Sequence, residues 1–254
     1  MMLHGAVLLA GAAPARAAAQ TAPTSPLRVE IGGGALTRSW VFQPRRRVTD
    51  NQPEFTLSPA PLAFGSIEYY PIAQFDSRPE PQIGMVGSYQ QYALFTKTED
   101  ITGSKVLYAI SSRQWFVGTR ARLFADQHQF GMVTGVGSHS FRIVKPAPTV
   151  FLPQRREVPN VDWRYWRIGL DARLRFDRVL MGASLGYRIV TDSGAFANAA
   201  GADGDLSMGY VIWHKVELRV GASLVRYALA EQPFASKDGI DLYFSGWGAL
   251  SWEL

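Results

Sequence analysis

Residues 163–190, WRYWRIGLDARLRFDRVLMGASLGYRIV, alternate apolar and polar side chains twice, on either side of one tight break. Every second residue from Trp166 is apolar: Trp166, Ile168, Leu170, Ala172, Leu174 and Phe176. The residues between them are Tyr165, Arg167, Gly169, Asp171, Arg173 and Arg175. Successive strand residues point to opposite faces, so one face is oily and the other charged. After Asp177-Arg178 the alternation resumes, with Val179, Met181, Ala183, Leu185, Tyr187 and Ile189 against Gly182, Ser184, Gly186 and Arg188. A hairpin with one oily face and one arginine-rich face is the pattern of a membrane-spanning β-barrel. It speaks to architecture and surroundings, and not to chemistry.

The rest of the chain is compatible with that reading. Its 254 residues suit one barrel. Hydrophobic residues are 47%, which is enough because only alternate strand residues need face lipid. Charged residues are 19%, too few for a disordered body. The net charge of +5 raises nucleic acid as a partner. The basic residues, however, divide between strand interiors and two loop clusters, with no basic helix, so an anionic membrane surface fits better. Cysteine is absent, which excludes disulfides, thiolate metal sites and a lipoprotein anchor.

The N-terminus carries a short apolar run, GAVLLAGAA, followed by Ala17-Ala18-Ala19. We read 1–19 as a signal peptide cleaved before Gln20, 20–26 as a short linker, and 27–254 as the barrel. No later segment reaches the ~18–20 apolar residues of a membrane helix. A chain that spans a bilayer without such helices must satisfy its backbone in a closed barrel.

Alternation places strands at 27–41, 63–75, 82–96, 105–125, 129–143, 163–176, 179–190, 206–213, 216–227 and 240–252. The first carries Arg28, Glu30 and Arg38 on one face, with Gly32-Gly33-Gly34 as a bulge or bend. Residues 42–61, 97–104, 144–162, 191–205 and 230–239 read as loops. The connections therefore alternate long and short along the chain. Outer-membrane barrels have long external loops and short periplasmic turns, so this order puts both termini in the periplasm. The expected fold is all-β: a transmembrane antiparallel up-and-down β-barrel of about ten strands, with eight as the smaller count. A soluble sandwich or lipocalin-like barrel is the competing architecture.

The chain ends Trp247-Gly248-Ala249-Leu250-Ser251-Trp252-Glu253-Leu254, an amphipathic final strand. With the leader, the amphipathic strands and the alternating loops, it resembles the small bacterial outer-membrane β-barrel proteins, including uncharacterised members of that group. The resemblance covers nearly the whole mature chain. It implies integral residence in the outer membrane of a Gram-negative bacterium and recognition by the barrel insertion machinery through the last strand. Members usually end on an aromatic residue; this chain ends on Leu254. The resemblance implies no activity.

The expected lumen-facing charged set is Arg120, Arg122, Arg167, Asp171, Arg173, Arg175, Arg188, Glu217, Arg219 and Asp241. A barrel this narrow is filled by side chains, so the plain reading is an ion-pair network that closes the lumen. The sharper reading is an anion-selecting pore lining, since arginine outnumbers acid in the set. Arg45, Arg46, Arg47, Arg155 and Arg156 fall in external loops near strand ends. They are either solvated charge or contacts to lipopolysaccharide phosphates, which guanidinium groups bind at two points. Trp40, Tyr92, Tyr108, Phe141, Trp163, Trp166, Tyr187 and Tyr227 are expected in an outer interfacial girdle. Phe75, Phe124, Phe130, Phe176, Trp213 and Trp252 are expected in the opposite one.

Ser138-His139-Ser140 is the nearest approach to a hydrolase motif, but the serines flank the histidine and point the other way in a strand. Histidines are scattered and no metal-ligand spacing occurs. No catalytic residue, cofactor or metal is assigned. The sequence therefore favours a non-enzymatic outer-membrane barrel with a structural or surface-interaction role. Its partners would be membrane lipid, lipopolysaccharide and a protein bound through the external loops, and not nucleic acid. A narrow diffusion channel for small, anionic solutes is the alternative, and a lipid-modifying enzyme the weaker third reading.

Overall fold

The computed structural model of the chain describes residues 25–44, 55–75, 82–99, 105–144, 160–193, 199–229 and 237–254. Among them, ten strands follow in chain order: β1 (Leu27–Pro44), β2 (Phe55–Tyr69), β3 (Gln82–Glu99), β4 (Lys105–Ala125) and β5 (His128–Val144), then β6 (Val161–Phe176), β7 (Val179–Asp192), β8 (Ala199–Trp213), β9 (Val216–Leu229) and β10 (Lys237–Glu253). Each strand pairs antiparallel with its chain neighbour, and β1 pairs with β10 to close the ring. The fold is an up-and-down β-barrel of the transmembrane type. Closure leaves no sheet edge running its length, which is what a bilayer interior demands. The expected leader at 1–19 and most of the linker lie outside the described residues, as do Arg45, Arg46, Arg47, Arg155 and Arg156.

The opening hairpin forms β6 and β7, and its register sets Leu170 opposite Leu185 and Asp171 opposite Ser184. Leu170 and Leu185 are 65% and 73% exposed on the outside. They belong to a belt that includes Ile83, Val117, Met132, Leu206, Leu218 and Val220. Such a belt is unfavourable against water and favourable against hydrocarbon.

Three connections are two-residue turns: Asp126-Gln127, Asp177-Arg178 and His214-Lys215. Their first residues have φ of 54°, 55° and 30°. Asp and His tolerate this left-handed region better than most residues, and such turns match the strand twist. These turns, the described part of the β2–β3 connection (residues 70–75), the start of β1 and the end of β10 share one end of the barrel, where Leu27 and Leu254 exchange backbone hydrogen bonds at 3.3 and 2.8 Å. We call it the terminal end, and the other the loop end.

Strand ends run up to three residues past the expected bounds, and three segments differ more from the sequence reading. Residues 55–61, expected in a loop, form the first half of β2. They pair with β1, whereas the pairing of β2 with β3 runs only from Leu62 to Tyr69. Pro59 and Pro61 thus sit where one side of the strand makes no described ladder, and a missing N–H costs least there. Residues 71–74, expected in a strand, form a short 3-10 helix with Pro71 in its first turn. Residues 199–205, expected in a loop, are the first half of β8.

Candidate functional site

The lumen is the site. At the terminal end, Arg28 of β1 donates to Glu217 at 2.7 Å and to Glu253 at 3.2 Å. Arg122 donates to Gln82 and to the Ser25 carbonyl, the latter at 3.0 Å, and its guanidinium lies 3.5 Å from the centre of the Tyr70 ring. Deeper in, Glu68 of β2 receives Arg120 at 2.9 Å and also Arg173 of β6, while Arg120 reaches on to Asp171. The Tyr70 hydroxyl joins this group, taking a hydrogen bond from Arg120 at 2.6 Å and donating to Glu68 at 3.1 Å. Burial and the Glu68 carboxylate push that hydroxyl above the ordinary phenol range, which keeps it a donor. Arg219 pairs with Glu30 and donates to Ser207 at 2.7 Å.

Nearer the loop end, Asp203 of β8 holds Arg167 at 2.6 Å and Arg188 at 2.7 Å. Glycines make room for these wide groups. A Cβ on Gly131 would come within 2.7 Å of the Arg120 Nε and would also strike the Asp171 carboxylate. One on Gly186 would meet the Arg167 Nε at 2.7 Å and Asp203 at 2.8 Å.

The loop half is filled differently. Arg38 of β1 makes a two-point pair with Asp241 of β10 at 2.7 and 2.9 Å, and Tyr243 donates to the same carboxylate at 2.8 Å. The Arg38 guanidinium also lies 3.8 Å from the Phe141 ring centre, on β5 across the barrel. His139 of β5 packs 4.2 Å from Tyr243, and Trp163 of β6 stacks on Tyr227 of β9 at 5.0 Å. Arg188 donates to the Tyr227 hydroxyl at 2.6 Å, joining this plug to the charged layers. The rings therefore meet across the lumen from strands that are not neighbours in the sheet.

Trp40, Tyr92, Phe141, Trp163 and Tyr227 belong to this plug and are no more than 2% exposed. Their expected place in an outer girdle is corrected. Trp166 and Tyr187 do lie outside, at 52% and 55% exposure, and the Tyr108 side chain is not among those described. Parity along the strand carried the signal: Trp163 shares the face of Tyr165 and Arg167.

Among the charged layers lies a cavity of about 330 Å³. Its wall includes Ser66, Ser88, Gln90 and Gln114 on one side and Ser184, Asp205, Ser223, Ser245 and Trp247 on the other.

The structure brings Arg120, Arg167, Asp171, Arg173, Arg188, Glu217 and Arg219 into ion pairs within the lumen. Asp241 pairs with Arg38 in the plug, apart from that group. Arg122 and Arg175 make no ion pair among the described residues. Arg122 relies on Gln82, Ser25 and Tyr70, and Arg175 donates to the Asp177 carbonyl at 3.2 Å beside the turn. Sequence reasoning left out Glu68, Asp203, Asp205 and Trp247. Glu30, Glu68, Asp203, Asp205 and Glu253 add acid to the set, so the excess of arginine behind the anion-channel reading nearly vanishes. His139 Nδ1 lies 3.3 Å from the Tyr227 hydroxyl, while Ser138 faces the other way and donates to Asp162 at 3.2 Å. That geometry offers no nucleophile–base contact.

No family model matches the chain, and no curated protein matches it. Solved structures do. The outer membrane protease OmpT from Escherichia coli is similar at a TM-score of 0.53 and 10% identity, covering 90% of this chain and 96% of that one. The translocator domain of the autotransporter NalP from Neisseria meningitidis aligns at 0.45 and 10% identity, covering 91% and 89%. The attachment invasion locus protein Ail of Yersinia pestis aligns at 0.36 and 10% identity, covering 87% and 98%. At such identities the likeness to OmpT speaks for a shared fold, that of the outer-membrane barrels.

Proposed function

We propose that this protein is an integral bacterial outer-membrane barrel with an occluded lumen, acting through its loop end and outer rim and not as a pore or an enzyme. The observation that carries the reading is the contact of Arg38 with Phe141 across the lumen, at 3.8 Å. A solute path would have to pass where fully buried rings and a desolvated ion pair meet. The near-balance of lumen charge also removes the basis for anion selection. Planar bilayers containing the purified barrel test it: the expected trace is flat, and reproducible conductance steps would overturn the occluded reading. Heat-modifiable migration and recovery in the outer-membrane fraction are expected, with both termini periplasmic; a soluble product would sink the membrane assignment.

The outer rim suits lipopolysaccharide. Arg113, Arg142 and Arg164 are exposed on the outward faces of β4, β5 and β6. Arg113 is in register with Ser140, and Arg164 with Ser138. Trp115 and Trp166, both exposed, lie on the same outward faces, each two residues toward the terminal end from Arg113 or Arg164. Aromatic rings at an interface with arginines just beyond them match a headgroup layer rich in phosphate. The loop clusters Arg45, Arg46, Arg47, Arg155 and Arg156 extend this proposal.

A further inference from the structure

Four register neighbours on consecutive strands make a polar shelf along one wall of the cavity. Ser184 of β7 stands opposite Asp205 of β8, Asp205 opposite Ser223 of β9, and Ser223 opposite Ser245 of β10. The other acids of the wall, Glu30, Glu68, Asp171 and Asp203, are each held by arginine. Asp205 is not. Its described hydrogen-bond partner is the Trp247 indole N–H, at 3.2 Å, a neutral donor, and Asp205 lines the cavity. Among the described residues, the hydroxyls of Ser66, Ser88 and Ser184 make no hydrogen bond within the protein. Ser88 points inward yet stays exposed, because the space beside it is empty of protein.

We infer that the cavity is a binding pocket for a small organic cation, a protonated amine carrying hydroxyl groups. An ammonium group supplies the charged hydrogen-bond donor that Asp205 lacks; the Trp247 ring beside it already faces the Arg219 guanidinium, 5.7 Å from its centre, so the carboxylate carries the attraction. The serine hydroxyls and the Gln90–Gln114 amide pair, itself joined at 3.2 Å, match ligand hydroxyls as donors or acceptors. At 330 Å³ the space is far larger than one water's share of about 30 Å³ and reaches the lower range of small-molecule pockets. Entry is from the terminal end, between the ion-paired side chains there, since packed rings fill the loop half. Anions are disfavoured because the guanidinium groups of the wall already have carboxylate partners.

The test uses the whole barrel in detergent micelles, with ethanolammonium as the cation, glycerol as a neutral polyol and acetate as an anion. The readout is the indole N–H resonance of Trp247, assigned by its loss in Trp247→Phe. Ethanolammonium should shift that resonance saturably, and glycerol and acetate should not. Asp205→Asn should weaken the cation at least about tenfold, as expected for a hydrogen bond to a charged group. Ser88→Phe, which fills the cavity and leaves Asp205 intact, should abolish binding. No saturable shift of any indole N–H resonance by the cation, or an equal shift by glycerol, overturns the proposal, and both are read on the unmodified protein whether or not Asp205→Asn and Ser88→Phe fold. Undiminished binding by a folded Asp205→Asn or Ser88→Phe barrel overturns it as well.

Discussion

Arg38 and Asp241 meet through two hydrogen bonds, at 2.7 and 2.9 Å, with neither side chain exposed. Two charges so far from water are held by each other, by Tyr243 and by the Phe141 ring. Removing one partner strands the other. Asp241→Asn is expected to cost about 3–5 kcal/mol, read by urea unfolding in micelles. The double change Arg38→Met with Asp241→Leu should return near the parent value, because no charge is left unpaired.

Gly131 makes room for the Arg120–Asp171 pair. Gly131→Ala should destabilise the barrel by about 1–3 kcal/mol, since backbone or guanidinium must shift to admit the methyl group. Gly65→Ala is the control. There the nearest atom is the Glu30 carbonyl oxygen at 3.5 Å, an ordinary contact. A change within about 0.5 kcal/mol is expected at that site.

The turn at Asp177 offers a test of backbone conformation. With φ at 55°, a β-branched residue is strained. Asp177→Val should lose about 1–2 kcal/mol in thermal or urea unfolding, and Asp177→Gly should lose nothing.

Leu170 sits in the outward belt, in register with Leu185. In a bilayer, Leu170→Arg should cost about 2–4 kcal/mol, measured by urea unfolding from lipid vesicles. A barrel standing in water would show no such penalty, so the variant also tests the surroundings of the fold.

The sequence made the strands legible where both faces carried strong signals. In β6 and β7, large apolar residues alternate with arginine, and boundaries and faces follow directly. The first half of β8, AAGADGD, carries neither signal. Its outward residues Ala200, Ala202 and Gly204 are small, and its inward carboxylates find their partners on other strands. A polar strand buried in a lumen therefore reads as a loop, and Asp203 and Asp205 were missed with it. The prolines of β2 misled for a related reason, since only the pairing pattern tells that one edge there makes no described ladder. Position along a strand was a poor guide to the aromatics. Trp163 and Trp166 are three residues apart, so they point to opposite sides, and only alternation separates plug from rim.

The pairing of β1 with β10 has a kinetic consequence. It joins Arg28 to Glu253, residues 225 positions apart. Such non-local pairing gives a high contact order and slow folding, because the first strand must wait for the last. Until then both strands offer bare backbone to any other chain, a standing invitation to aggregate. A chain cut short before β10 would keep every pairing from β1 through β9 and yet have no way to seal itself. The barrel is therefore all-or-nothing: its integrity is decided when β10 arrives to close the ring on β1.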